Sequence, residues 1–391
     1  MGRLQLTTSG ESHGPGLVAI VTGLPHGLEL SREAIDRDLE RRQMGYGRGG
    51  RMKIEKDQVE VLAGLRGGRT LGSPLALVVR NADHDNWRDV MDPFAPPKDA
   101  EAKLTRPRPG HVDLPGALKL GLDDARDVLE RSSARSTTAR VAAGAVCKAL
   151  LSACGIEMMC HVTRIAEASA PPLPASDDAS LRRARDAAEA SEVRCVDARA
   201  GQQMVEAIKA AQKDGDSVGG IVEVVAWNVP PGLGSHVEWT ERLDGRIALA
   251  LMSIQAMKGV EIGAGFAAAA TRGSALFDPI LHDGKKFTRP SNNMGGVEGG
   301  ITNGEPVVVR AAMKPIPTLA RPLPSVDLAT KQPFDAQKER TDSCAVPAAA
   351  VVAEAALAFV LADALVDKLG GDTMNELVRS LEAYRADLAK Y

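Results

Sequence analysis

Short apolar runs bounded by glycine, proline or polar residues recur in the first quarter of the chain and again past its middle. The runs at 17–23, 59–62, 75–79 and 220–225 are rich in Val, Leu and Ile, and we predict that each forms a strand. The segment at 81–110 is polar and contains prolines, so we expect a long functional loop there.

Helical periodicity dominates much of the remaining sequence. Ser31 is predicted to cap a helix that ends near Gly45, and Gly144 is the only breaker in a longer helical pattern. Residues 171–190 are predicted to form a surface excursion, and residues 291–346 are turn-rich. Further helices are predicted over residues 123–153, 204–213, 244–257 and from Pro347 onward.

The most apolar segment is Ala345–Val366, which is mostly alanine and contains Glu354 and Asp363. A membrane span needs about 20 predominantly apolar residues. Because charges and a proline interrupt this segment, we predict a buried helix. No signal-peptide pattern opens the chain, since charged residues interrupt any apolar run there.

Composition limits the functional classes. The chain has 391 residues, of which 44% are hydrophobic and only 3% aromatic, so the core must be largely aliphatic. A net charge of −3 argues against a general polyanion binder. Five cysteines without CxxC spacing favour a reduced, cytoplasmic protein with no metal site. No composition shift marks a boundary, so we expect a single α+β domain, residues 1–391, with long active-site loops.

Two histidines lie in loops whose backbone is shaped by glycine or proline. GESHGPG at 10–16 contains His13, and TRPRPGH at 105–111 ends on His111. An imidazole exchanges a proton near neutral pH, so both are candidate acid–base residues. A lone loop histidine is more often inert, and the arginines between these two are what favour function.

Arginine-rich segments are candidate anion sites. Gly45–Gly50 satisfies GxGxxG, but a predicted helix precedes it and an extended segment follows, which is the wrong order for a dinucleotide site. The arginines around these glycines suit phosphate or carboxylate groups, although such clusters are often solvated surface. RSSARSTTAR at 131–140 and MKPIPT at 313–318 add hydroxyls and cations of the same kind.

Together these segments resemble the chorismate synthase family, in family order and nearly from end to end. The motifs that carry the resemblance are GESHG (10–14), RRQMGYGRGGRM (41–52), TRPRPGH (105–111), RSSAR (131–135), MSIQAMKGVEIG (252–263), GGVEGGITNG (295–304), MKPIPT (313–318) and TDSCAVPAA (341–349). The resemblance implies an α+β sandwich, with helices packed between two antiparallel sheets, and assembly as a homotetramer.

The resemblance also implies a reaction, the conversion of 5-enolpyruvylshikimate 3-phosphate into chorismate and phosphate by 1,4-anti elimination, with reduced FMN as cofactor. It implies that His13 protonates the leaving phosphate, His111 protonates the reduced flavin, and Asp342 is a base near the flavin N5 atom. The implied substrate-binding residues are Arg42, Arg48, Arg108 and Arg135.

Cofactor positions follow from the same resemblance. The implied FMN-binding residues are Arg131, Ser132, Ser133, Gln255, Ala256, Gly300, Lys314, Pro315, Ile316, Pro317, Thr318 and Arg340. The positions of Arg42 and Arg48 are associated with NADP in members that reduce their own flavin, so NADPH is a candidate reductant. Ser136 replaces a common family glutamate and removes one carboxylate near the expected FMN region.

Two alternatives stay open on the residues alone. One is an NAD(P)-dependent dehydrogenase built around Gly45–Gly50. The other is a non-catalytic anion- or RNA-binding protein that uses the arginine loops, although three Trp and three Tyr residues offer little for base stacking.

Overall fold

The computed structural model describes residues 2–48, 56–95, 103–173, 177–284, 287–338 and 342–391. Its strands are β1 (Gln5–Ser9), β2 (Gly16–Thr22), β3 (Val59–Ala63), β4 (Leu65–Arg66), β5 (Arg69–Thr70), β6 (Leu75–Arg80), β7 (Glu157–Ile165), β8 (Ala168–Ser169), β9 (Gly220–Trp227), β10 (Met257–Ile262), β11 (Leu281–His282), β12 (Phe287–Thr288), β13 (Val297–Glu298), β14 (Ile301–Thr302), β15 (Val307–Met313), β16 (Pro324–Val326) and β17 (Pro333–Asp335). Its α-helices are α1 (Arg32–Gln43), α2 (Asp113–Leu120), α3 (Arg126–Ser132), α4 (Thr137–Ala153), α5 (Asp178–Ala190), α6 (Ala198–Asp214), α7 (Leu243–Met252), α8 (Gly273–Leu276), α9 (Val346–Leu369) and α10 (Met374–Leu388).

Two antiparallel sheets form the outer layers. The four-stranded sheet has the order β1-β2-β6-β3, and the five-stranded sheet has the order β10-β15-β9-β7-β8. In β2, Leu17, Ala19 and Val21 are buried on one face, as period-two alternation requires of a strand packed on one side. In β9 the other face is covered too, since Trp227 and Val225 join a cluster that includes a leucine of α5.

Helices fill the space between the sheets. α4 packs on α9 and on β2 of the four-stranded sheet, while α9 packs on β7 and β9 of the five-stranded sheet. One hydrophobic cluster includes residues of both sheets and of α1, α4 and α9. The predicted α+β sandwich, with helices between two antiparallel sheets, is therefore confirmed.

The apolar helix α9 lies in the middle of this core. It is long and apolar enough to cross a membrane by length and composition, yet 89% of its most apolar window is buried inside the protein, as predicted. Its charge at Glu354 is buried but paired, with Arg41 at 2.6 Å and Lys148 at 2.8 Å. Pairing is what makes a buried carboxylate tolerable in such a helix.

The long helical pattern at 123–153 breaks at a different place from the one predicted. It divides into α3, a 3-10 turn over Ala134–Ser136, and α4, and the change of direction falls at Ser133 (φ −56, ψ 140) rather than at Gly144. Gly144 continues α4 undisturbed. A Cβ there would lie 2.3 Å from the Cβ of Ala355, so the glycine lets α4 and α9 approach closely.

Other boundaries also differ from the pattern. The helix predicted over 244–257 ends at Met252, and Met257 begins β10 instead. The surface excursion at 171–190 contains α5, whose Leu181 and Ala188 are buried. The turn-rich segment 291–346 contains β15, a largely apolar strand that lies inside the five-stranded sheet and that the turn pattern did not predict. The remaining predicted strands and helices are present, and α6 is longer than predicted.

We predict that Gly144→Ala destabilises the protein although alanine favours helices. The added methyl would overlap Ala355, and overpacking of this kind costs about 1–3 kcal/mol in free energy of unfolding. Gly201→Ala in α6 is the matched control, because the nearest atom to its added methyl, in Cys195, is 3.5 Å away. There the propensity gain of up to about 1 kcal/mol should dominate. Urea unfolding of both variants measures the difference, and equal stabilities would contradict close α4–α9 packing.

Candidate active site

His13 lies in the loop between β1 and β2 and is held from several sides. Its Nδ1 atom is 2.8 Å from Oε1 of Glu130, and its backbone N–H donates to Oε2 of the same carboxylate at 2.8 Å. The indole of Trp87 packs on the imidazole with ring centroids 4.1 Å apart. Only 9% of His13 is exposed. The ring therefore has a fixed place and orientation.

Asn81 ties this loop to an arginine. Its Nδ2 donates to the carbonyls of Ser12 and Gly14 at 3.3 and 2.7 Å, and its Oδ1 accepts from Nε of Arg135 at 2.8 Å. Asn81 is itself buried, so each of these polar groups needs a partner. The side chain of Arg135 is thus anchored to the His13 loop.

Asp57 joins two of the predicted substrate-binding arginines. Its fully buried carboxylate accepts from Arg135 at 2.6 Å and from Arg42 at 2.7 Å. Burial lowers the pKa of Arg42 to about 10, with Asp57 opposing that shift and the positive charges of Arg135 and Arg48 adding to it. Several guanidiniums thus lie close together around one carboxylate, which is a setting that favours a bound anion.

Arg48 forms an ion pair with Asp342, with 2.5 Å between Nη1 and Oδ2. The two residues come from segments far apart in the sequence. The structure therefore brings a predicted substrate- and NADP-binding arginine next to the predicted base.

His111 is held by a second carboxylate. Its Nδ1 lies 2.5 Å from Oδ1 of Asp113, and Arg108 donates to the same carboxylate at 2.8 and 3.0 Å. Burial would raise the pKa of Asp113, but the hydrogen bonds from His111 and Arg108 outweigh it and hold that pKa well below its usual range. Because the carboxylate is ionised, the Nδ1–H group of His111 must be the donor.

The His111 loop packs against the predicted FMN segment. Lys314 donates to the carbonyl of Gly110 at 2.7 Å, and Nη1 of Arg108 lies 3.1 Å from the Thr318 hydroxyl. Burial, and then the charge of Lys258, lower the pKa of Lys314. The residues of 105–111 and 313–318 thus form one cationic corner.

Hydrogen bonds link this corner to the His13 side. The backbone N–H of Lys314 donates to the carbonyl of Ala256 at 3.0 Å, and the amide of Gln255 donates to the Ser136 hydroxyl at 2.8 Å. Three residues before Ser136, the Ser133 hydroxyl accepts from Ser12 at 3.0 Å. The two histidine loops are therefore connected through the helix start at 133–137.

The other predicted FMN residues lie in separate parts of the chain. Arg131 donates to the carbonyls of Thr8 and Gly10, beside the His13 loop. The hydroxyl of Ser132 turns back to its own helix, and Pro315, Ile316 and Pro317 continue the segment after Lys314. Arg340 lies outside the described residues.

Gly300 lies apart from these groups. It is in the turn between β13 and β14, and its carbonyl accepts from the backbone of Leu243 at 3.0 Å. A Cβ at Gly300 would come within 2.6 Å of the Ser235 carbonyl oxygen. For the described parts of the chain, these contacts join Gly300 to the start of α7 and not to Lys314.

Sequence reasoning missed the carboxylates and the amide that orient the site. These residues are Asp57, Asn81, Asp113 and Glu130, together with Trp87. Asp113 follows His111 by two residues, which is a signal that could have been used. The partners of Asp57 and Glu130 are distant in sequence, so spacing alone carries no such signal. Among the described residues no group of three or more His, Cys, Asp or Glu side chains could hold a metal ion.

Comparison with known proteins decides the family. The family model described as chorismate synthase matches residues 4–366. The chain belongs to the chorismate synthase family. It is therefore an enzyme of the carbon–oxygen lyase class, in the biosynthesis of aromatic amino acids. The alternatives of a dehydrogenase and of an RNA-binding protein find no support here, and both large sheets are antiparallel, whereas a dinucleotide site of the GxGxxG type needs parallel strands.

Individual chorismate synthases resemble the chain over their whole length. The enzyme of Desulforudis audaxviator is 56% identical over 393 residues, covering 99% of both chains. That of Geobacter sulfurreducens is 53% identical over 389 residues, covering 97% of this chain and 98% of the relative. A solved structure titled "Crystal Structure of Chorismate Synthase" superposes with a TM-score of 0.80 at 43% identity, covering 99% of each chain.

We predict that Asp57→Asn strongly destabilises the protein, because it leaves Arg42 and Arg135 buried without their shared countercharge. Breaking a buried ion pair from one side costs about 3–5 kcal/mol. Glu60→Gln is the control, since its pair with Arg80 is largely exposed and worth at most about 1 kcal/mol. Chemical denaturation measures both, and a loss in Asp57→Asn no larger than in the control would show that Asp57 does not hold the arginines.

Proposed function

We propose that the protein converts 5-enolpyruvylshikimate 3-phosphate into chorismate and inorganic phosphate, the last step of the shikimate pathway. The C–O bond to the phosphate breaks, a ring hydrogen is lost as a proton in the overall reaction, and a new C=C bond forms. The observation that carries the proposal is the pair of imidazoles, His13 and His111, each held by a buried carboxylate and linked through one hydrogen-bonded network of cationic loops.

The arginines are assigned to the anionic groups of the substrate. A phosphate and two carboxylates need several cations, and Arg42, Arg48, Arg108 and Arg135 supply them from fixed positions. The hydrogen bonds that Arg42 and Arg135 donate to Asp57 set where these guanidiniums point before ligand arrives. Preorganised charge of this kind stabilises the negative charge that grows on a departing phosphate.

His13 is assigned to the leaving group. Its Nδ1 faces Glu130, so Nε2 is the atom that would hold the proton for a phosphate oxygen. His111 is assigned to the flavin side, because its loop carries the carbonyl that Lys314 binds. Its Nδ1–H is committed to Asp113, which again leaves Nε2 to exchange a proton. Asp342, paired with Arg48, is assigned as the base on that side.

The described residues fit reduced FMN, the cofactor of this family. Oε1 of Gln255 is buried with no hydrogen-bond partner among the described residues, and burial, followed by the charge of Lys258, lowers the pKa of Lys314. Both features suit a ligand with polar ring edges and an anionic phosphate. The residues proposed to bind FMN are those that the family resemblance implies. Bound there, reduced FMN would supply electron density to the substrate as the C–O bond to the phosphate breaks, with no net change in its own oxidation state.

We also propose NADPH as a candidate reductant of the flavin. A cleft lined by Gly45, Tyr46, Arg48, Glu192 and Gln212 gives access to the Arg48 side of the site. Arg42, in contrast, is only 3% exposed and already bonded to Asp57, so a nucleotide would reach Arg48 first.

The domain organisation and assembly of the enzyme can also be inferred. We infer a single domain over residues 1–391 from the hydrophobic cluster that unites both sheets. We also infer that the enzyme is a cytoplasmic homotetramer without nucleic-acid, membrane or metal partners. Large apolar side chains are exposed in the segments around α7 and α8 and would be covered in an oligomer; these are Val237, Trp239, Leu249, Phe266 and Phe277.

Anaerobic incubation tests the function. The protein is mixed with 5-enolpyruvylshikimate 3-phosphate and chemically reduced FMN, and phosphate and chorismate are measured. Equal amounts of both products are expected, and their absence under these conditions would refute the proposal. A second incubation with oxidised FMN and NADPH shows whether the protein reduces its own flavin.

We predict that His111→Ala loses about 10²–10⁴-fold in turnover, the usual contribution of general acid–base catalysis. FMN affinity should stay within about threefold, because Arg108 still holds Asp113. His282→Ala, at an exposed strand position, is the control for loss of a histidine. A His111→Ala enzyme with a rate near that of the wild type would remove His111 from the mechanism.

We predict that Lys314→Met weakens FMN binding about 10–100-fold, the effect of losing one charged hydrogen bond. An anion favours the protonated ammonium, and the pKa of Lys314 is already lowered, so affinity in the wild type should fall as pH rises through that lowered pKa. Fluorescence titration across pH measures both effects. Lys209→Met on α6, whose ammonium is exposed, is the control. Unchanged affinity in Lys314→Met would exclude the lysine from the site.

A further inference from the structure

We propose that Glu130 is the positioning residue that makes His13 the proton donor. This inference rests on the proposed function, in which Glu130 has no assigned role. Glu130 is 3% exposed and lies in α3, which packs against the His13 loop through this residue. The side chain contacts no reacting atom in the proposal. It acts through His13 alone.

The geometry is that of a two-point clamp. One carboxylate oxygen of Glu130 accepts from the backbone N–H of His13 and the other faces the ring Nδ1, both at 2.8 Å. The backbone carbonyl of Glu130 also accepts from the N–H of Ser12 at 2.9 Å. A single helical residue thus fixes both the loop and the ring, which leaves the imidazole little freedom to rotate.

The surroundings keep this carboxylate ionised. Burial would raise the pKa of Glu130, but hydrogen bonds and charge from His13, aided by Arg126, lower it. An ionised acceptor at Nδ1 requires an N–H there, so Nε2 is the position at which His13 gains or gives its second proton. Among the described residues, Glu130 from α3 and Trp87 and His84 from the segment after β6 contact His13, and Arg126 from α3 lies against both Glu130 and Trp87.

The two histidine–carboxylate pairs differ in how closely a guanidinium approaches the carboxylate. Asp113 receives two hydrogen bonds from the guanidinium of Arg108 as well as its contact with His111. Arg126 approaches Glu130 only at 3.6 Å. Among the described residues, the carboxylate of Glu130 is therefore shared less with a guanidinium than the carboxylate of Asp113 is. This difference favours His13 as the donor of a proton to the leaving phosphate, while His111 keeps its role on the flavin side.

A double-mutant cycle tests the inference with the intact enzyme, reduced FMN and 5-enolpyruvylshikimate 3-phosphate. Glu130→Gln keeps the size of the side chain but not its charge, and its turnover should fall by at least tenfold in the wild-type background. In a His13→Ala background the same change should cost less than twofold, because a residue that acts only through His13 has nothing left to act on. Equal losses in both backgrounds would show a merely structural role and overturn the proposal.

The pH profile provides an independent readout. In Glu130→Gln the alkaline limb of kcat/KM should move to lower pH, because the imidazolium has lost its anionic partner. Asp127→Asn, an exposed carboxylate on the same helix, is the matched control and should leave the limb in place. A lowered rate with an unmoved limb contradicts the inference.

A folding defect must be separated from this effect. Near-ultraviolet circular dichroism and FMN affinity report whether Glu130→Gln keeps its native structure. If it does not, Glu130→Asp makes the same comparison in both backgrounds, since it keeps the charge but withdraws it from Nδ1. A wild-type enzyme that forms no chorismate would refute the proposed function, whereas an active wild type with an unaffected Glu130→Gln variant refutes only the role of Glu130.

Discussion

Buried carboxylates that hold positively charged or titratable side chains are the constraint on which the site depends. Asp57 fixes two arginines, Asp113 fixes Arg108 and His111, and Glu130 fixes a histidine. Burying a charge is costly unless a partner compensates for it, so each pair restricts its members to a narrow set of geometries. The cationic groups are therefore arranged before any ligand binds, which is what stabilisation of a departing phosphate requires.

The sandwich supplies the rigid frame for these pairs. Arg41 and Arg42 are neighbours in α1 and point to different surroundings, Arg41 to Glu354 in the core helix and Arg42 to Asp57 near the site. Because adjacent helical residues face about 100° apart, one helix end serves both the core and the site. Close packing of α4 on α9 at Gly144 holds α4 against the core helix, and Arg135 lies in the 3-10 turn immediately before α4.

Local patterns predicted most of the fold but not its long-range partners. Strand β2 and helix α1 follow directly from a short apolar run and from the Ser31 cap, which accepts a hydrogen bond from the N–H of Ala34. The break at Ser133 was missed because serine adopts an extended conformation without any marker in the helical pattern. Strand β15 was not predicted because turn residues on both sides outweighed its short apolar run. The family resemblance supplied the sandwich and the histidines, whereas Asp57 and Glu130 became visible only once distant segments had met.

A structure of the protein with FMN and 5-enolpyruvylshikimate 3-phosphate bound tests the central claim most directly. The account predicts that Nε2 of His13, Nε2 of His111 and the ammonium of Lys314 contact the two ligands in one cleft. It also predicts that the contacts of Glu130 and Asp113 with their histidines persist in the complex. Ligands bound on another face, or histidines that share no cleft even across subunits, would contradict it.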